Sequence, residues 1–233
     1  MTQFQRPEHR AVAAVLAAMD RDLLTRCACY FGGGTEIVLE LGEYRLSKDI
    51  DFLCADAAGY RELRTRIVSG GAAALFGPAI REERAFRTDQ YGIRGIVSVG
   101  AVPIRFEIVR EGRIGLSGRD DTALGVPRLS AVDRIAEKLL ANADRAQDRA
   151  TAYRDAVDLG MMALRLGAFP TEALIKAEAA YGADIAAKLH WVLERLAAEE
   201  ERRHAADTIG MERSLFDNAI VALSDEIQRT RPF

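Results

Sequence analysis

A chain of 233 residues can bury a sizeable core, as one large domain or as two small ones. About half of it is apolar, 29% is charged and the net charge is −3, an ordinary globular composition without a global pull toward nucleic acid, so a polyanion partner requires a local basic patch. No run approaches the roughly 20 apolar residues of a membrane span and the start lacks a basic, apolar leader, so a cytoplasmic protein with no membrane partner is expected.

Residues 8–26, EHRAVAAVLAAMDRDLLTR, place Val12, Val15, Leu16, Met19 and Leu23 at helical spacing and predict one amphipathic helix. CACYF (27–31) is short, aromatic and apolar and stops at glycine, the pattern of a buried strand entering a loop. Its two cysteines and Cys54 are odd in number and sit in apolar runs, so they read as buried thiols of a reducing compartment. Cys27-X-Cys29 lacks the second ligand pair of a zinc site. Thr35 to Leu41 can begin a helix packed through Ile37, Val38 and Leu41, and DIDFLCA (49–55) reads as a strand. A helix around 58–76 follows, then two or three strands within 80–115, in which Ile104, Phe106 and Ile108 share one face and Arg105, Glu107 and Val109 the other. GLSGRDDTALGVPRLS (115–130) reads as a polar loop between lobes, and helices are predicted over 130–148, 152–166, 171–197 and 210–229. The expected fold class is α+β: an α/β core over 1–122 and an all-helical domain over 123–233.

Asp49 and Asp51 stand at i and i+2 of the predicted strand, hence on one face, at a separation that a hard cation can bridge. Mg²⁺ takes oxygen ligands and shares them with phosphates, and it would remove the repulsion between two adjacent carboxylates. Without a metal, the pair would simply flank an exposed strand. Upstream, GGGT at a strand-to-helix turn exposes backbone N–H groups to which a triphosphate can come close. Glycine loop, helix, then Asp-X-Asp on a strand is the nucleotidyltransferase pattern, here with a long spacer of thirteen residues between Thr35 and Asp49. Glu107 is either a third carboxylate for that site or the partner of Arg105 or Arg110 on an exposed strand.

In AVDRIAEKLLANADRAQDR, Lys138, Asn142, Arg145 and Arg149 form a narrow stripe beside the apolar arc, suited to a phosphate chain. Asp155 and Asp158, at i and i+3 of the next helix, lie at the edge of its apolar stripe. Two readings stay open: a structural ion-pair network between the helices, or Lys138 on nucleotide phosphates with one aspartate orienting it.

Together these segments resemble the nucleotidyltransferase-like AbiEii/AbiGii toxins. Their N-terminal motif, Gly-Gly-Thr followed by Arg-X-Ser-X-Asp-apolar-Asp-Phe, is matched by GGT at 33–35 and RLSKDIDF at 45–52, and their later motif by EKLL at 137–140 and RDAVDL at 154–159. The resemblance spans about residues 30–160. It implies a nucleotidyltransferase-type mixed sheet with flanking helices, a helical lobe completing the site, and transfer of a nucleotidyl group from a nucleoside triphosphate with Mg²⁺. It further implies a toxin of a toxin–antitoxin or phage-defence system, with a cognate antitoxin and tRNA among the acceptors. Carried over by motif, Asp49 and Asp51 hold the metal, Gly33, Gly34, Thr35, Arg45 and Ser47 cradle phosphates, and Lys138 with Asp155 or Asp158 completes the site. Glu36 departs from the family's small or aliphatic residue and adds negative charge near the phosphates unless it turns away.

The arginines between Arg81 and Arg119 outnumber the nearby acids and favour an RNA acceptor. A small-molecule or protein acceptor, or a silent module that keeps the fold, are the competing readings.

Overall fold

A computed structural model describes residues 4–121 and 123–230. Its strands β1 (Cys29–Gly32), β2 (Ile50–Cys54), β3 (Arg81–Thr88), β4 (Gly92–Val99), β5 (Val102–Arg110), β6 (Gly118–Asp120) and β7 (Pro127–Leu129) form one mixed sheet in the order β3-β4-β5-β2-β1-β7-β6. β2 runs antiparallel to β1 and parallel to β5. The alternation read from the sequence sets its faces: Ile104, Phe106 and Ile108 are buried, as are Ile50 and Phe52. Phe31 and Phe52 are register partners with ring centroids 5.5 Å apart, and Phe52 lies 6.0 Å from Phe106. Burying each ring contributes about 2–3 kcal/mol. Helices α1 (Pro7–Ala17) and α4 (Ala57–Gly70) bring Val12, Leu16 and Leu63 into the same core.

The helix expected over 8–26 is two, α1 and α2 (Arg21–Arg26), because the Asp20 carboxylate accepts the Leu23 N–H at 2.9 Å and starts a new helix. The stretch expected as a polar loop, 115–130, holds β6 and β7. Parallel pairing of β7 with β1 joins distant segments and leaves no local periodicity to read. Between β1 and β2, α3 (Gly33–Glu40) follows the strand directly.

The chain divides into two compact units, Met1–Leu39 with Ser47–Ser130, and Glu40–Leu46 with Ala131–Phe233. The expected cut between 122 and 123 falls on Thr122, outside the described residues. The second unit is built from α5 (Ala131–Arg145), α6 (Arg154–Leu166), α7 (Thr171–Tyr181), α8 (Asp184–Leu196), α9 (Glu199–Ile209) and α10 (Arg213–Arg229). The single helix expected over 171–197 is broken at Gly182, whose φ of +58° a side chain rarely adopts. α9 was not expected. Its buried stripe is only Ala205 and Ala206, but Glu199, Glu200 and Glu201 occupy its first turn, where the helix dipole favours acids. Among the described residues no helix is long and apolar enough to cross a membrane. The three cysteines are free and buried, and burial followed by the charge of Glu62 pushes the Cys27 thiol up to about 12.

Candidate active site

β1 ends at Gly32, the register partner of Asp51, and the chain turns into α3 through Gly33 at φ +73°. A Cβ added at Gly33 would lie 2.8 Å from Asp51 Oδ2, so this carboxylate is set against the glycine turn at the start of a helix. The conformation strains any side chain there, and a Cβ would push the Asp51 carboxylate aside. Gly33→Ala is expected to cost about 1–3 kcal/mol and to displace Asp51, measured as a lower urea midpoint together with lower nucleotide transfer.

Asp49 and Asp51 lie on the side of β2 opposite buried Ile50 and Phe52, as a period of two requires. Asp49, just ahead of the strand, is 40% exposed and stands 4.0 Å from Arg105 Nη1. Glu107 is the register partner of Asp51 on β5, and Arg94 Nε meets its Oε1 at 2.6 Å. The ion-pair reading of Glu107 is therefore realised, but with Arg94 on β4 instead of Arg105 or Arg110. Arg94 and Glu107 are cross-strand register partners, and direct partners are the closest pairs that a sheet offers. Among the described residues no group of three His, Cys, Asp or Glu side chains is gathered for a metal. Two carboxylates on one side of β2, one of them against a glycine turn, still suit a hard divalent ion that completes its shell with phosphate oxygens. The protein's share of such a shell would be the Asp49–Asp51 pair.

The Thr35 and Ser47 hydroxyls share a hydrogen bond of 2.8 Å, and Thr35 is buried. These two hydroxyls tie α3 to the segment that carries Asp49, and Gly34 stands half-buried beside them. The Ser47 N–H donates to His9 Nε2 at 3.4 Å, a support that sequence reading missed because His9 lies far upstream on α1. Glu36 turns away from the glycines into a buried cluster, where Arg128 of β7 binds it through Nε at 2.7 Å and Asp121 through Nη1 at 2.5 Å. It shares that arginine with Asp121, and the partner was hidden in the stretch read as a loop.

The remaining expected site residues belong to the second unit and gather around one carboxylate. Asp158 is fully buried. It accepts the Tyr44 hydroxyl at 2.6 Å and Arg45 through Nε at 2.8 Å and Nη2 at 2.7 Å. Lys138, 6% exposed, places Nζ 2.9 Å from Asp155 and 2.8 Å from Asp158. Arg145 closes on Asp155 at 2.8 Å, and Arg149 leaves the stripe for Glu201 on α9 at 2.5 Å. Asn142 is buried among them. Lys138 and Arg145 of the stripe on α5 are thus occupied by protein carboxylates, while the Asn142 amide nitrogen meets no partner among the described residues: the interhelix network, joined by Arg45 from the first motif, is the reading that the geometry realises.

Burial opposes the charged form of Asp158, but Arg45 and then Lys138 outweigh it and hold the carboxyl well below the usual carboxylate range. Asp155 is lowered against the same burial by Lys138 and Arg145. Lys138 is raised: burial works against its charge, and the two aspartates overcome it. Because both carboxyls titrate lower folded than unfolded, their stabilisation is full above about pH 4 and is lost as acid approaches the folded values. Urea midpoints of wild type and Asp158→Asn are therefore expected to differ most above about pH 4 and to draw together progressively as the pH falls below it.

Two crystal structures share the fold at a TM-score of 0.59. One, of a candidate nucleotidyltransferase from H. pylori, is 15% identical over 98% of this chain and 97% of its own. The other, of JHP933 from Helicobacter pylori, is 17% identical over 97% and 93%. A comparison with curated proteins finds no match. The family model described as nucleotidyl transferase AbiEii toxin, type IV toxin–antitoxin system, matches residues 15–223, nearly the whole chain and both motif sets. With the glycine turn, the aspartate pair and the mixed sheet in place, the chain is a nucleotidyltransferase and belongs to the AbiEii toxin family of type IV toxin–antitoxin systems, a membership that implies a cognate antitoxin.

Proposed function

We propose that this enzyme moves a nucleoside monophosphate from a nucleoside triphosphate to an RNA hydroxyl, with tRNA the foremost acceptor, as a Mg²⁺-dependent cytoplasmic toxin. The observation that supports it best is the seating of Asp51 against the Gly33 turn at the head of α3. Backbone N–H groups of Gly33 and Gly34, at a helix start where the first donors have no intrahelical acceptor, bind triphosphate oxygens. Asp49 and Asp51 hold the divalent ion, which when bound offsets the charge of the triphosphate. The acceptor oxygen attacks the α-phosphorus in line. Its bond to phosphorus forms as the bond to the bridging oxygen breaks, and pyrophosphate leaves with the electron pair. Glu107 takes the hydroxyl proton, its side chain fixed by Arg94. Thr35 and Ser47 act as positioning residues for the aspartate segment, and Arg45, Lys138, Asp155 and Asp158 for the helical unit.

The test is incubation with each α-labelled triphosphate and Mg²⁺, with total tRNA in one arm and RNA-depleted cell extract in the other. Label in the RNA arm is expected. Label confined to protein or small molecules, or no transfer in either arm, would overturn the reading.

A further inference from the structure

Register partners across the sheet continue the row of the aspartates toward its edge. From Gly32 and Asp51 the row passes through Glu107 and Arg94 to Arg87 on β3. A parallel row starts where Asp49 meets Arg105 and passes through Ile96 to Arg84. Side chains in one row share a face of the sheet, so four arginines stand on the face that carries the proposed site. Arg105 is 74% exposed, and the Arg84 and Arg87 side chains make no ion pair or hydrogen bond with another described residue.

Charges on an edge strand can serve only to block pairing with another chain. That accounts for Arg84 and Arg87 but not for exposed Arg105 on an inner strand, where Arg94 is taken by Glu107 and Asp89. The acids of β3 are also consumed at its beginning. Glu82 accepts the Ala72 N–H at 2.6 Å, and Glu83 takes the Ser98 hydroxyl at 2.5 Å and Arg81 at 3.0 Å. What is left toward the aspartate rows is positive.

We propose that this face is the docking track for the single-stranded 3′ end of the RNA acceptor, with Arg84 and Arg87 on β3 and Arg105 on β5 binding its phosphates. The inference rests on the transfer reading and adds the path of the acceptor. From β2 to β3 the track crosses three strand spacings, about 14 Å, the length of a few extended nucleotides. A phosphodiester chain fits this surface because it carries a charge at each step and ends in the hydroxyl that must arrive beside Asp51. An acidic protein could meet the arginines but would deliver no such terminus.

The experiment measures fluorescence anisotropy of a 5′-labelled single-stranded RNA without nucleotide, using wild type, Arg84→Glu/Arg87→Glu, the milder Arg84→Gln/Arg87→Gln, and Asp51→Asn. The charge-reversed variant is expected to lose at least about tenfold in affinity, and the slope of log K against log salt to shrink by about 1.4, two phosphates at 0.7 each. The Gln variant should fall between it and wild type, with unfolding midpoints unchanged. Asp51→Asn should bind RNA as wild type does while losing transfer, which separates failure of the track from failure of the chemistry. Unchanged RNA affinity and salt slope in both arginine variants would overturn the proposal, even if a protein partner were lost.

Discussion

Asp51→Asn is expected to reduce nucleotide transfer at least about a thousandfold while the protein stays folded. The substitution keeps the shape of the side chain and removes the carboxylate set against the glycine turn. Several kcal/mol of charge stabilisation at a transferring phosphoryl group correspond to that factor, at 1.36 kcal/mol per tenfold. Asp51 is half-buried at the side of β2, and the core contacts of Ile50 and Phe52 lie on the opposite face, so the sheet has no reason to fail. Asp49→Asn is expected to follow it. The measurement is incorporation of label from an α-labelled triphosphate beside a circular dichroism spectrum. Activity within tenfold of wild type in a folded Asp51→Asn protein would remove this residue from the chemistry.

The second large effect concerns stability. Asp158→Asn leaves buried Arg45 facing a neutral amide and buried Lys138 with only Asp155, which it shares with Arg145. Breaking one member of a buried ionic cluster costs about 3–5 kcal/mol because the surviving charges lose their compensation. In a chain of this size that corresponds to a fall in Tm on the order of 10 °C. Tyr44→Phe removes one hydrogen bond to the same carboxylate and should cost only about 1–2 kcal/mol. A shift below about 2 °C for Asp158→Asn, read by calorimetry, would mean that the cluster does not hold the helical unit together.

The fold class was legible because its signals are local. Alternation in β2 and β5, the glycines before α3 and the apolar arcs of α5 and α6 each appear within a dozen residues. The aspartate pair and its glycine turn were legible for the same reason. The partners of the charged residues were not. Glu107 meets Arg94 because β4 and β5 pair in one particular register, and Glu36 meets Arg128 because a three-residue strand adds in parallel far along the chain. Lys138 was open to a phosphate reading because its stripe is visible in sequence, whereas its distance from Asp158 is not. What decides between a ligand site and an internal ion pair is long-range pairing, and period and composition do not encode it.

The chain leaves the sheet-bearing unit after Leu39, returns at Ser47 and leaves it again after Ser130. The seven residues of this excursion include Tyr44 and Arg45, which cap the carboxylate of Asp158. No single scission of the polypeptide therefore yields two self-sufficient pieces: a fragment beginning at Ala131 would keep Asp158 but forfeit the guanidinium that neutralises it. The helical unit thus takes a necessary cation from a segment that precedes it by more than eighty residues, Glu40–Leu46.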